Sequence, residues 1–250
     1  MRRLAIAIAA LFCIGANKPV LVPDVSERQV QIIYSFTGAD LLLFGAILYP
    51  GGRAPQHPAD VAVVLKGPTQ SILVREKQKI AGMWLNADSA RFRSAPSYYA
   101  IATSRPLRQL VDERTAAIYE LGLNSLQMSP ASGETPEEQQ RFEEGVIDLK
   151  RRAGLYVEDT HGVEISDGVL YRARISIPAR VPVGRYVAET FLIQDGKVVA
   201  GAVREVRIGK SGFERFVADA ANRWSLSYGL VAVAVSLAIG WGAGALFRRT

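Results

Sequence analysis

Residues 224–247 read WSLSYGLVAVAVSLAIGWGAGALF, an uncharged run stopped at once by Arg248 and Arg249. A helix from Leu226 to Phe247, rising about 1.5 Å per residue, just crosses a hydrocarbon core of roughly 30 Å. The stretch therefore reads as a membrane anchor, with Trp224 and Tyr228 as interfacial residues at its outer end. Within it Ala232, Ser236, Gly240 and Gly244 recur every four residues and form a groove of small side chains where a second helix could pack closely. Gly240, Gly242 and Gly244 do not form a phosphate-binding loop, because no strand precedes them and they lie inside the span.

At the opposite end, Arg2 and Arg3 precede the apolar run Leu4 to Ile14, which closes on Gly15 and Ala16. That is the layout of a secretory signal peptide, and it is too short to span a bilayer. Cys13, the only cysteine, would leave with it, so no disulfide, thiolate nucleophile or Cys-ligated metal is expected in the mature chain. The positive-inside rule then places Arg248 and Arg249 in the cytoplasm and the body outside the bacterial inner membrane. The expected organisation is a signal peptide at 1–16, a periplasmic β-rich domain at 17–210, a juxtamembrane segment at 211–225, a span at 226–247 and a cytoplasmic tail at 248–250. Arg2, Arg3, Arg248 and Arg249 carry much of the formal charge of +6, so the exported body is nearly neutral. No basic stripe with interleaved aromatics is evident along the chain, and nucleic acid is not an expected partner.

The body is patterned for strands. Val30, Ile32, Tyr34 and Phe36 alternate on one face after a linker containing Pro19 and Pro23. Leu41 to Tyr49, LLLFGAILY, is apolar on both faces, as a central strand covered on each side would be. Asp60 to Leu65 is a further strand ending at Gly67 and Pro68. Ser71 to Asn86 reads as a hairpin with a charged tip at Arg75 to Lys79 and a returning strand holding Trp84; Ser97 to Thr103 follows as a short strand.

The period then changes. Ser104 to Leu121 reads as one helix, with Leu107, Leu110, Val111, Ile118 and Leu121 on a stripe. A second helix opens with Thr135 as N-cap, Pro136 at its first position and Glu138 completing a capping box, and it ends near Gly154. From Leu155 strands return. Tyr171, Ala173, Ile175 and Ile177 alternate with Arg172, Arg174 and Ser176, and Asp195-Gly196 turns one last hairpin. The expected fold is mainly β: an antiparallel Ig-like β-sandwich with two inserted helices, in one domain rather than two lobes, plus the C-terminal transmembrane helix.

The stretches EKQKIAGMWLN (Glu76 to Asn86), APSYYAIATSRPL (Ala95 to Leu107), FTGADLLLFGAILYP (Phe36 to Pro50) and IPARVPVGRYVAETFLIQDG (Ile177 to Gly196), with Gly240-Trp241 in the closing helix, are similar to the transmembrane protein family of alphaproteobacteria. The resemblance implies an inner-membrane protein with an exported N-terminal portion and one C-terminal span. It carries over no activity and no functional residue.

The residues themselves offer little for catalysis. His57 and His161 are too few for an imidazole-built metal site and read as turn residues. Glu158-Asp159 and Glu143-Glu144 are adjacent pairs whose side chains point apart, so neither flanks one bond. No GxSxG elbow occurs. No catalytic residue, cofactor or metal is expected. Aromatic and basic residues concentrate at Trp84, Arg91, Phe92, Arg93, Tyr98 and Tyr99, where a ligand or partner could bind by stacking and charge, with core packing as the competing reading, above all for Trp84. The leading expectation is a non-enzymatic membrane-anchored interaction or accessory module for another envelope protein, such as a transporter, or for a second copy of itself. The alternative is a binding or sensor domain for a small anion using Arg172, Arg174 or Arg185.

Overall fold

Period-two alternation becomes strand almost everywhere it occurs in the computed structural model, which describes residues 19–32, 38–49, 59–130, 135–210, 217 and 220–247. The signal segment, His57 and Arg248 to Thr250 lie outside the described residues. Two compact units divide the chain, residues 1–30 with 37–208 and residues 31–36 with 209–250.

The first unit is mainly β. A four-stranded front sheet runs β1 (Val20–Val25), β3 (Gly38–Leu48), β11 (Leu170–Pro178), β10 (Val163–Ser166), all antiparallel. A six-stranded central sheet runs β2 (Gln29–Ile32), β13 (Lys197–Lys210), β12 (Gly184–Gln194), β4 (Asp60–Lys66), β7 (Tyr99–Thr103), β9 (Tyr156–Asp159). A third sheet is the long hairpin of β5 (Thr69–Ile80) and β6 (Met83–Pro96), with β8 (Ser129–Pro130) at its base. Among the described pairings β7 and β9 depart from the expected antiparallel pattern and run parallel, Tyr99 opposite Tyr156. Such a pair needs a crossover, and the inserted helices lie within it.

Those helices are α1 (Leu107–Leu110), α2 (Glu113–Tyr119) and α3 (Pro136–Arg152). The single helix expected over Ser104 to Leu121 is broken at Val111, which is extended at φ −144° and ψ 156°. Asp112 restarts it, its side chain accepting the Thr115 amide at 2.8 Å. A capping carboxylate in mid-stripe favours a new N-terminus over continuation. α3 follows its signals, with Thr135 and Glu138 closing a reciprocal capping box.

The strand covered on both faces is β4, not β3. Val61 to Leu65 are all fully buried: Ala62 and Val64 join the cluster beneath the helices with Tyr99, Leu121, Phe142 and Val146, while the alternate residues face the front sheet. β3 lies between β1 and β11 yet buries only its inner row, Leu41, Leu43 and Ile47, while Phe44 and Leu48 are exposed. β11 keeps the alternation read from its sequence, Tyr171, Ala173, Ile175 and Ile177 in and Arg172, Arg174 and Ser176 out. The segment expected as a linker containing Pro19 and Pro23 instead forms, from Val20 to Val25, the edge strand β1, where Pro23 is tolerated.

Two-residue turns set the hairpin registers. Ala81 (φ 50°) and Gly82 (φ 86°) join β5 to β6, and Asp195 (φ 50°) and Gly196 (φ 78°) join β12 to β13. The first of these moves the β5–β6 tip beyond Arg75 to Lys79, which are strand residues.

The second unit holds α4 (Ser225–Phe247), whose stretch Ser225–Gly244 is apolar and long enough to cross a membrane and is 0% buried.

Gly45 sits in the inner row of β3, where an added Cβ would collide with the Val22 carbonyl oxygen and come within 2.7 Å of the Tyr171 hydroxyl and 2.9 Å of Pro23 Cα. Gly45→Ala is expected to cost about 1–3 kcal/mol in urea unfolding, because backbone of a paired strand must move. Gly201→Ala on β13, whose Cβ would meet Phe191 at an ordinary 3.6 Å, is the control and leaves the midpoint nearly unchanged.

Candidate functional site

The aromatic and basic cluster expected between Trp84 and Tyr99 does not assemble on one surface. Tyr98 and Tyr99 are 0% exposed and Phe92 is buried, whereas Arg91 and Arg93 are exposed on β6. Trp84 is 67% exposed near the hairpin tip, against the core reading. Its neighbours Met83 and Leu85 are apolar but also exposed, because the two-residue turn lies beyond the buried stem of the ribbon.

Adjacent residues in an extended chain point to opposite faces, and the tyrosine pair uses both. Tyr98 reaches toward the front sheet and donates to the Ser176 carbonyl at 2.8 Å. Tyr99 turns toward the helices, donates to the Glu120 carbonyl at 2.7 Å and accepts from the Gly122 amide at 2.9 Å. Tyr156 donates to the Pro96 carbonyl and Tyr186 to the Pro182 carbonyl, each at 2.7 Å. Beside Tyr99, Lys66 bridges Glu120 at 2.8 Å and Glu189 at 3.0 Å. Burial alone would lower the Lys66 pKa, but hydrogen bonds to the two carboxylates outweigh it and hold the pKa above its usual value. These groups fasten the layers together.

A cavity of about 490 Å³ lies against α1 and α2, walled by Leu107, Val111, Ala116 and Leu121 with Arg108 and Glu158 among its charged groups. Three of its four carboxylates serve the backbone: Glu158 accepts the Leu123 amide at 2.6 Å, Asp159 accepts the His161 amide at 3.1 Å, and Asp112 caps α2. Among the described residues no group of three or more His, Cys, Asp or Glu could hold a metal ion. The arginines of the anion reading do not converge. Arg172 is paired with Glu164 on the front sheet, Arg174 borders a smaller cavity of about 230 Å³ with Asp159, and Arg185 belongs to the central sheet.

Two exposed surfaces remain. The first is the outer face of the front sheet. Register places Val20 opposite Leu48, Val22 opposite Ala46, and Leu170 on the other side of Ala46, with Phe44 in the next row. Val20, Val22, Phe44, Leu48 and Leu170 are all exposed, and Asp24 and Arg172 flank Phe44 as a polar rim. The second is the β5–β6 ribbon. Sequence reading missed the front-sheet patch because its members come from β1, β3 and β11 and meet only through pairing.

On α4 the small-residue stripe is exposed. Ser236 donates to the Ala232 carbonyl at 2.8 Å, and nothing lies within 4 Å of where a Cβ on Gly240 or Gly244 would sit. The family described as Putative transmembrane protein (Alph_Pro_TM) matches residues 20–249. The chain belongs to that family. Its match spans both the β body and α4, and membership with the one candidate span among the described residues makes the protein membrane-associated. No curated protein matches the chain.

Burial raises the phenol pKa values of Tyr98, Tyr99 and Tyr156 well above the usual range and pushes Tyr186 up to about 12. Above about pH 10 the unfolded chain releases phenolic protons that the folded chain keeps. Their contribution to stability is therefore complete below about pH 10 and lost as the pH rises beyond it. Thermal melts across this range are expected to show falling midpoints, and phenolate absorbance of the native protein to rise in full only on unfolding. Ordinary titration of all tyrosines near pH 10 without unfolding would contradict the tyrosine assignment.

Proposed function

We propose that the protein is a membrane-anchored, non-enzymatic interaction or accessory module of the bacterial envelope. In this reading the signal peptide is removed, the β body stands on the periplasmic side of the inner membrane, and α4 holds it there with Arg248 and Arg249 in the cytoplasm. Its partner is another envelope protein, a transporter being the class that a tethered accessory body suits. The observation that carries the reading is the contiguous apolar face of Val20, Val22, Phe44, Leu48 and Leu170. Soluble bodies rarely leave such a patch uncovered, and an apolar centre with a charged rim is the anatomy of a protein interface. The groove of Ala232, Ser236, Gly240 and Gly244 supplies a second contact inside the membrane.

A photo-crosslinking residue at Phe44 in the full chain, expressed in its native membranes, is expected to give a discrete adduct with one second protein. Leu48→Thr with Leu170→Thr keeps β propensity and changes stability by less than about 0.5 kcal/mol each. The pair is expected to cut adduct yield at least about fivefold, as loss of roughly 1 kcal/mol at an interface requires. Gly240→Leu weakens the same adduct. No adduct, or the same yield from the variants, would remove the reading.

A further inference from the structure

The β5–β6 ribbon sorts its charges by face. Register puts Lys79 opposite Trp84, Lys77 opposite Asn86, Arg75 opposite Ser89 and Leu73 opposite Arg91. Cross-strand partners share a face, and alternation adds Arg93 to it. Arg75, Lys77, Lys79, Arg91 and Arg93 thus line one side of the ribbon together with Trp84. The acidic residues of the ribbon, Glu76 and Asp88, lie on the other side, held by Arg141 of α3 at 3.3 and 3.5 Å. That clasp braces the stem and removes their charges from the basic face. Among the described residues Arg75, Lys77, Lys79 and Arg91 have no ion-pair partner, and Arg93 donates only to the Pro130 carbonyl. At the tip Ile80, Met83, Trp84 and Leu85 are all exposed, Trp84 on the basic face and Ile80, Met83 and Leu85 on the opposite one, so the end of the ribbon is apolar on both sides. The sequence reading found no basic stripe because the cations come from two strands and meet only in the folded hairpin.

We propose that this ribbon is a second membrane contact, laying its basic face and apolar tip against a bilayer rich in anionic phospholipid. Cations beside an exposed Trp and aliphatic tip match the headgroup region, where phosphate charge lies above an apolar boundary. The tether limits how far the body can be from the bilayer that α4 crosses. Residues 211–219 lie between β13 and the helical run from 220 onward, and a chain of that length reaches at most about 35 Å. The ribbon is therefore confined near a bilayer at high effective concentration, so weak surface affinity suffices. This surface is separate from the front-sheet face, and the two assignments stand or fall independently.

The test uses the full chain with Trp224→Phe and Trp241→Phe, leaving Trp84 as the sole indole, reconstituted in vesicles of phosphatidylcholine with or without phosphatidylglycerol. Trp84 emission is expected to shift to the blue and to be quenched by bromine-labelled acyl chains only when phosphatidylglycerol is present, and to revert at high salt. Lys77→Gln with Lys79→Gln, both exposed and outside the core, is expected to lower the docked-to-free ratio about 25-fold, from about fivefold per basic residue. A thermal melt matching the parent shows that the variant is folded. Equal emission in both vesicle types would overturn the proposal, as would unchanged quenching in the folded variant. Shielding of Trp84 that follows protein density rather than lipid charge would also overturn it, assigning the ribbon to a protein partner.

Discussion

The central sheet must be covered on both faces, and the adjacent tyrosines where the chain enters β7 show how that is done. Val61 to Leu65 expose no surface, so one apolar layer has to lie on each side of β4. Tyr98 and Tyr99 carry a large ring into each layer, and each phenol, costly to bury unpaired, must find a carbonyl there. Ser176 on β11 satisfies one and Glu120 at the end of α2 the other. Those bonds set where the front sheet and the helical segment sit. The left-handed backbone at Glu120, φ 51°, and the Lys66 bridge to its side chain complete the second of these joints.

Once both faces of the central sheet are occupied, surface available for recognition lies elsewhere. Around the larger cavity Asp112, Glu158 and Asp159 accept backbone amides and so hold the chain turns beside it. The front sheet, by contrast, has a layer on only one side and exposes aliphatic and aromatic residues on the other. The β5–β6 ribbon extends past its own stem cluster of Val74, Ala90 and Phe92, so its distal half has nothing to pack against. The exposed apolar and basic side chains are thus gathered on the front sheet and on the ribbon.

Much of the fold was legible because its signals are local. Alternation along β11, the capping box at Thr135 and Glu138, the Asp195-Gly196 turn and the uncharged length of α4 each depend on residues within one turn or one strand. The errors arose where local pattern was ambiguous. Leu41 to Leu48 and Val61 to Leu65 are both apolar runs, and composition does not say which one receives a second layer. The stripe from Leu107 to Leu121 supports one helix until Asp112 competes for the amide of Thr115. Trp84 looked like core because its neighbours are apolar, yet the turn at Ala81 and Gly82 places all of them beyond the body. The residues singled out as a binding cluster divided accordingly, with Tyr98 and Tyr99 inside and Trp84, Arg91 and Arg93 outside.

By itself the chain's order of residues determined that a β-rich body is joined to an apolar membrane-length helix, since hydrophobic length and period are properties of consecutive residues. Which apolar residues remain exposed was decided only by tertiary structure. Val20, Phe44, Leu48 and Leu170 become one patch, and five scattered cations become one face, through strand pairings that bring distant segments side by side. Exposure depends on what the opposite face of a strand meets, and that is set by the number of layers the whole chain can stack.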